Sequence, residues 1–245
     1  MPYQIIILAA GNGSRMSSNL PKVLHEVGGK PMIERVIDNA KSVTNDLILV
    51  HSLQLVQYLD NYKDICKFAL QSTPLGTAHA VYSALDLIDP NKTNVVIYGD
   101  NPFISSAIII ELLEYLDSTK SSIVTLSFKR DDPSQYGRIV TDKFDNFIKI
   151  VEFKEANEEE KSINHCNSGI MAFAPTILKK YLPLMINGHR SDMDRELYLT
   201  KIIEVTKNTG EKVSYLLSSD DDIVIGVNTQ DELLEANKIS GRQSK

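Results

Sequence analysis

The chain has 245 residues, of which 42% are hydrophobic and 24% are charged, and its formal net charge is −6. This composition is typical of a globular protein and disfavours a disordered or fibrous chain. Acidic and basic residues are interspersed, which argues against a nucleic-acid-binding surface. The sequence contains neither a signal-peptide pattern nor an apolar stretch of membrane-spanning length, and Cys66 and Cys166 lie too far apart for a zinc motif. We therefore expect a cytoplasmic protein without nucleic-acid or membrane partners.

An apolar run at residues 5–10 leads directly into a glycine-containing loop. Residues 5–8 are apolar without alternation, which predicts a strand buried on both faces of a parallel sheet. Gly11 and Gly13 carry no Cβ atom, so the loop backbone can close on phosphate oxygens, and Arg15 and Lys22 add positive charge. A glycine pair alone is equally typical of a tight turn. The glycine spacing fits neither a dinucleotide fingerprint nor a Walker loop. We interpret the loop, which runs on to Lys22, as a mobile arm around a triphosphate.

The rest of the chain alternates between strand-like and helix-like apolar patterns. Helices are predicted at residues 31–40, 53–59, 77–88, 106–116, 194–206 and 233–239. Strands are predicted at residues 47–50, 66–70, 94–98, 123–128, 138–141, 147–153, 213–217 and 223–227, with a further strand that ends at Phe173 and contains a polar triplet at 167–169. This alternation predicts an α/β fold with a mixed, mostly parallel sheet.

A second polar turn follows the predicted strand at residues 94–98. Open α/β sheets bind ligands at the carboxyl ends of their strands, so Asp100 is expected at the same edge as the opening loop. A carboxylate that faces phosphates is a natural ligand for Mg²⁺. The alternative, which is more common for an isolated Gly-Asp pair, is that Asp100 caps the helix that begins near Ser105.

Several motifs follow one another over nearly the whole chain: LAAGNGSRMSSNLPKVLHEVGGKPM, QSTPLGTAHA, YGDNP, YGRI, IVE, NSG and GVN. Together they resemble the uridylyltransferase domain of the bacterial bifunctional N-acetylglucosamine-1-phosphate uridylyltransferase/glucosamine-1-phosphate acetyltransferases. The resemblance implies the Rossmann-like fold of nucleotide-diphospho-sugar transferases, with helices on both faces of the sheet. It implies a single domain at residues 1–240, with a nucleotide-binding part at about 1–120, a sugar-binding part at about 121–240 and a frayed tail at 241–245.

The resemblance also implies a reaction and its residues. UTP and N-acetylglucosamine 1-phosphate, an amino-sugar 1-phosphate, would give UDP-N-acetylglucosamine and pyrophosphate with Mg²⁺ as cofactor. Arg15 and Lys22 would hold the triphosphate, and Asp100 and Asn228 would hold the metal. The other substrate-binding residues would be Leu8, Ala9, Ala10, Gly11, Gln71, Gly76, Thr77, Tyr98 and Gly99 near the nucleotide, and Gly137, Glu152 and Asn167 near the sugar. Gln71 can donate and accept at once, as the edge of uracil requires.

Some features depart from this family or leave the function open. Lys201 stands where an aspartate is usual on the sugar side of the pocket, and the sequence leaves the choice of sugar open. The hexapeptide-repeat β-helix of the bifunctional proteins is not found in these residues, and we expect a monomer without acetyltransferase activity. His25 and His79 are interpreted as structural, because the reaction needs no protein nucleophile. The alternatives are a nucleotidyltransferase for another base or sugar and a non-catalytic nucleotide-sugar sensor.

Overall fold

The structure is a computed structural model that describes residues 2–188, 196–219 and 226–243. Its strands are β1 (Tyr3–Ala9), β2 (Glu26–Val27), β3 (Lys30–Pro31), β4 (Leu47–His51), β5 (Cys66–Leu70), β6 (Thr93–Tyr98), β7 (Ile123–Lys129), β8 (Gly137–Thr141), β9 (Phe147–Val151), β10 (His165–Phe173) and β11 (Val213–Leu217). Its helices are α1 (Met32–Lys41), α2 (Thr77–Ser83), α3 (Ser106–Thr119), α4 (Glu158–Lys161), α5 (Ile177–Gly188), α6 (Ile202–Lys207) and α7 (Gln230–Gln243).

Nine strands form one sheet in the order β11-β7-β10-β6-β1-β4-β5, with β8 paired to β10 and β9 paired to β8. The neighbours β5, β4, β1 and β6 are parallel, as are β7 and β11. The reversed strand β10 is antiparallel to β6, β7 and β8. The prediction of a mixed, mostly parallel sheet is confirmed.

The uninterrupted apolar run of β1 is explained by two cores, one on each face of the sheet. Ile5 and Ile7 belong to one buried cluster, which includes apolar residues of α1 and α3. Ile6 and Leu8 belong to the other cluster, which includes residues of α2, α5 and α6. Because successive side chains of a strand point to opposite faces, a strand covered on both sides has no room for polar alternation.

Some predicted elements differ in type or extent. Residues 53–62 form a 3₁₀ helix, and the helix predicted at 77–88 ends at Ser83, followed by a 3₁₀ turn at Leu85–Leu87. Helices commonly tighten in this way at their ends, and here Pro90 prevents continuation. The start of the helix predicted at 194–206 and most of the strand predicted at 223–227 lie outside the described residues. In the described part of that predicted helix, residues 196–198 are not helical, Leu199–Lys201 form a 3₁₀ turn, and the α-helix begins only at Ile202. Helix α7 includes residues 241–243 of the predicted tail.

None of the described helices combines the length and the apolar character that a membrane crossing needs.

Candidate functional site

A cavity of about 400 Å³ opens where the parallel strands β1 and β6 end. Its walls come from the end of β1, the loop at residues 11–15, the segment at 71–80 and the turn after β6. The predicted site residues that line it are Leu8, Ala9, Ala10, Gly11, Arg15, Lys22, Gln71, Gly76, Thr77, Tyr98, Asp100 and Asn228. The fold therefore brings together residues that are up to 220 positions apart in the sequence, since Leu8 and Asn228 share one cavity.

The loop after β1 curls back on itself, as the arm interpretation requires. Gly13 has a φ angle of +59°, and a Cβ atom there would lie 2.7 Å from Cβ of Lys22. Only glycine allows this approach of the two ends of the loop. The loop is also fastened from outside, because Nε2 of Gln230 on α7 donates to the carbonyl of Met16 at 2.7 Å.

The amine of Lys22 lies between the two predicted metal ligands. It donates to Oδ2 of Asp100 and, at 2.8 Å, to Oδ1 of Asn228. The Lys22 and Asp100 side chains are only 11% and 15% exposed, so this ion pair is largely shielded from solvent. The structure thus places the lysine on the carboxylate and amide oxygens. The alternative in which Asp100 caps α3 is wrong, because Ser105 Oγ accepts from the Ile108 amide at 3.3 Å.

Asn228 is fixed by the turn that precedes α7. The backbone amides of Asn228 and Thr229 both donate to Oε2 of Glu232, at 2.6 and 2.8 Å. The adjacent Val227 amide donates to the carbonyl of Asp100 at 2.9 Å. These bonds hold the Asn228 and Asp100 side chains at one end of the cavity, although the residues come from distant parts of the chain.

The opposite end of the cavity is formed by Gln71 and the start of α2. Gln71 Nε2 donates to the Gly76 carbonyl at 3.1 Å and lies 3.1 Å from Nδ1 of His79. Burial lowers the pKa of His79, against the effect of a hydrogen bond to the Thr73 backbone. The amide nitrogen of Gln71 is therefore already bonded within the protein. The expectation that Gln71 donates and accepts toward a base does not fit this arrangement; only its oxygen remains for a ligand.

The start of α2 is joined to the segment that follows residue 195. Leu197 donates to the Leu75 carbonyl and accepts from the Ala78 amide, both at 2.8 Å. The Thr77 hydroxyl accepts from the Leu199 amide, also at 2.8 Å. Glu196 of this segment lines the cavity, and it was not predicted as a site residue. No glycine, spacing or strand end marks Glu196 in the sequence.

The predicted sugar residues lie next to one another, outside the residues that line the cavity. A Cβ atom on Gly137 would lie 3.3 Å from Oε2 of Glu152, and Gly137 is paired in register with Asn167. Thr200 donates to Glu152 at 2.6 Å, and burial raises the pKa of the Glu152 carboxyl despite this bond. Asn167 is 6% exposed, and its Oδ1 accepts from Thr125 at 2.6 Å.

Gly99 and Lys201, both singled out from the sequence, do not line the cavity. Gly99 does not line the cavity; its amide donates to the Leu8 carbonyl at 2.9 Å, which fastens the turn after β6 to β1. Lys201 is turned toward Glu155, with Nζ and Oε2 2.5 Å apart, and it does not line the cavity either. The unusual lysine is therefore part of a surface ion pair.

Comparison with known proteins gives a consistent result. The bifunctional protein GlmU of Thermoanaerobacter pseudethanolicus is 38% identical over 96% of this chain and 50% of its own length. That of Clostridioides difficile is 37% identical over 99% of this chain and 52% of its own length, so the chain spans about half the length of these relatives. A solved UDP-glucose pyrophosphorylase complexed with UDP-glucose has the same fold, with a TM-score of 0.76 at 16% identity, and covers 99% of this chain and 100% of its own.

The family assignment rests on a separate match. Residues 5–163 match the model of the MobA-like NTP transferase domain. This range contains the glycine loop, Gln71 and Asp100. The nucleotidyltransferase class and the relationship predicted from the motifs are confirmed, and the chain belongs to the MobA-like NTP transferase family.

Proposed function

We propose that the chain transfers the uridylyl group of UTP to N-acetylglucosamine 1-phosphate and releases pyrophosphate. The observation that carries this proposal is the cavity, which has a carboxamide oxygen at one end and a cation-binding cluster beside a glycine loop at the other. The motif resemblance and the GlmU relatives support the choice of substrates.

Magnesium fits the oxygens of Asp100 and Asn228. The lysine amine between them shows that this position already holds a positive charge. One carboxylate and one amide oxygen form an incomplete, oxygen-only set, which suits a Mg²⁺ ion that shares its remaining positions with phosphates and water. The described residues contain no cluster of three or more His, Cys, Asp or Glu side chains that could form a closed metal site. Bound Mg²⁺ would neutralise negative charge on the reacting phosphates.

The protein itself has to hold two anions close together. An oxygen of the sugar phosphate forms a bond to the α-phosphorus of UTP, and the bond from that phosphorus to the bridging oxygen breaks, so pyrophosphate leaves with its electron pair. No protein nucleophile is needed. In this scheme Arg15 and Lys22 contact the triphosphate, while Glu152 and Asn167 orient the amino sugar. Positioning and charge neutralisation are then the main sources of rate acceleration.

The alternatives differ in the substrate or in catalysis. A nucleotidyltransferase for another base or sugar would share the phosphate end, which is formed by Arg15, Lys22 and Asp100. It would differ in what Gln71 or Glu152 contacts. A non-catalytic sensor has less support, because Arg15, Lys22 and Asp100 are all retained in the cavity.

A screen for pyrophosphate release tests the proposal. The five common nucleoside triphosphates are each combined with the 1-phosphates of N-acetylglucosamine, glucose, galactose and N-acetylgalactosamine. We expect the highest kcat/KM for UTP with N-acetylglucosamine 1-phosphate. A higher value for another pair would replace the proposed substrates, and no release with any pair would favour the sensor.

A further inference from the structure

The orientation of the Gln71 amide is fixed by its neighbours. The two ends of a carboxamide are similar in shape, so the direction of the group must be deduced from its hydrogen bonds. The Gly76 carbonyl, 3.1 Å from Gln71 Nε2, can only accept a hydrogen bond. The NH₂ group of Gln71 must therefore face Gly76, and the carboxamide oxygen must face away from it.

The second hydrogen of this NH₂ group is directed to His79. Nδ1 of His79 lies 3.1 Å from Gln71 Nε2, and two donors cannot be bonded to each other, so Nδ1 carries no proton. In a neutral ring the other nitrogen is then left to carry the proton. The His79 ring is thus a neutral tautomer whose Nδ1 accepts from Gln71, and the ring is also hydrogen-bonded to the backbone of Thr73.

The carboxamide oxygen of Gln71 is the atom left for a ligand. Among the described residues no side chain or amide donates to it, and it is not one of the fully buried unpaired atoms. Gln71 lines the cavity although the whole residue is only 6% exposed. The small exposed part of Gln71 thus includes a hydrogen-bond acceptor. Its position is fixed by the two hydrogen bonds of Nε2, to the Gly76 carbonyl and to His79.

We propose that His79 is a positioning residue for base selection, which holds the Gln71 amide so that only an acceptor faces the nucleotide. This inference rests on the proposed function. An acceptor at this point pairs with the N3–H of uracil or thymine. Cytosine has an unprotonated N3 that is itself an acceptor, so two lone pairs would face each other. A buried polar group left without its partner discriminates more strongly than a difference in shape.

His79→Leu and His79→Asn separate positioning from a merely structural function. Leucine removes the acceptor, whereas the asparagine side-chain oxygen lies near the place of Nδ1 and can accept the same hydrogen bond. For the unmodified protein we expect kcat/KM for UTP to exceed that for CTP by about 100-fold or more. His79→Leu should reduce this ratio about tenfold, which is the effect of losing one hydrogen bond, and His79→Asn should keep most of it.

The ratio of the two nucleotides is the decisive measurement. A histidine needed only for folding would change both kcat/KM values by the same factor, so an unchanged ratio in His79→Leu would overturn the inference. Thermal stabilisation by UTP and by CTP without sugar phosphate gives a second value of the preference that does not depend on catalysis. If the unmodified protein transferred no pyrimidine nucleotide but was stabilised by UTP over CTP, the proposed function would fail and the inference would stand.

Discussion

The two ends of the cavity are prepared for a ligand in different ways. At the end formed by Gln71 and the start of α2, where we propose that the base binds, the groups are neutral, and the Gln71 amide nitrogen is held by the Gly76 backbone carbonyl. At the phosphate end, the charged groups are bonded to one another, with Lys22 on Asp100 and Asn228. We therefore expect a ligand to enter the first end without rearrangement and to exchange partners with Lys22 at the second. Groups that are already in position favour selectivity for a ligand. The ion pair with Lys22 avoids the energetic cost of a buried Asp100 carboxylate without a partner.

The largest effect is expected from breaking the phosphate end at Asp100. In Asp100→Asn the side chain keeps its shape but loses the negative charge that would bind the metal. We expect turnover to fall by about 10²-fold or more, equivalent to about 3 kcal/mol of transition-state stabilisation. Steady-state rates at saturating Mg²⁺ provide the measurement. Turnover within a fewfold of the unmodified protein would remove Asp100 from the metal site.

At the end of the cavity formed by Gln71 and the start of α2, the largest loss of stability is expected from a substitution that changes the backbone at Gly76. Gly76 has a φ angle of +111°, and a Cβ atom there would lie 2.5 Å from the Leu197 carbonyl oxygen. Gly76→Ala should therefore lower the free energy of unfolding by about 2–4 kcal/mol. Gly11→Ala is the matched control, because a Cβ atom at Gly11 would meet nothing within 4 Å. Chemical denaturation of both variants should show a loss only for Gly76→Ala, and equal stability would contradict the close approach.

A smaller effect is expected beyond the cavity, at Glu152. Burial raises the pKa of this carboxyl above its ordinary value of 4.5, so it takes up a proton at a higher pH than an exposed glutamate. If the ionised form accepts hydrogen bonds from the sugar, the KM for the sugar phosphate should rise as the pH falls toward this raised pKa. Glu152→Gln should have a KM about fivefold higher at neutral pH and no such rise. An identical acid limb in both proteins would assign the titration to another group.

The smallest effect is expected at Lys201. Its ion pair with Glu155 is on the surface, where the two side chains are 43% and 40% exposed. Lys201→Ala should change the free energy of unfolding by less than about 0.5 kcal/mol. It should also leave the preference among sugar phosphates unchanged, since Lys201 does not line the cavity. A changed preference in the substrate screen would show that this lysine acts on the sugar.

Much of the fold is predictable because its signals are local. The apolar run of β1 indicates burial on both faces, and the spacing in α1 places Ile33, Val36 and Ile37 toward the core. Glycines and strand ends then indicate where the cavity opens. The type of short helices is less predictable, because a single apolar face does not distinguish a 3₁₀ helix from an α-helix at residues 53–62.

The partners within the site are not predictable in the same way. Sequence motifs indicate that Lys22 and Asp100 belong to one site, but not that they are bonded to each other across 78 positions. The direction of the Gln71 amide depends on the backbone carbonyl of Gly76, a glycine with an unusual φ angle. Glu196 lines the cavity next to Leu197, which is paired with Leu75 from a distant part of the chain.

We propose that one position, between Asp100 and Asn228, holds either the Lys22 amine or a divalent cation. Binding of Mn²⁺, used as a spectroscopic substitute for Mg²⁺, tests this claim without nucleotide by electron paramagnetic resonance. Lys22→Met and Arg15→Met each remove one positive charge from the same loop, but only Lys22 is bonded to Asp100 and Asn228. We predict that Lys22→Met lowers the Kd for Mn²⁺ about tenfold or more and Arg15→Met less than about threefold. An unchanged Kd in Lys22→Met, or equal changes in both variants, would contradict the claim.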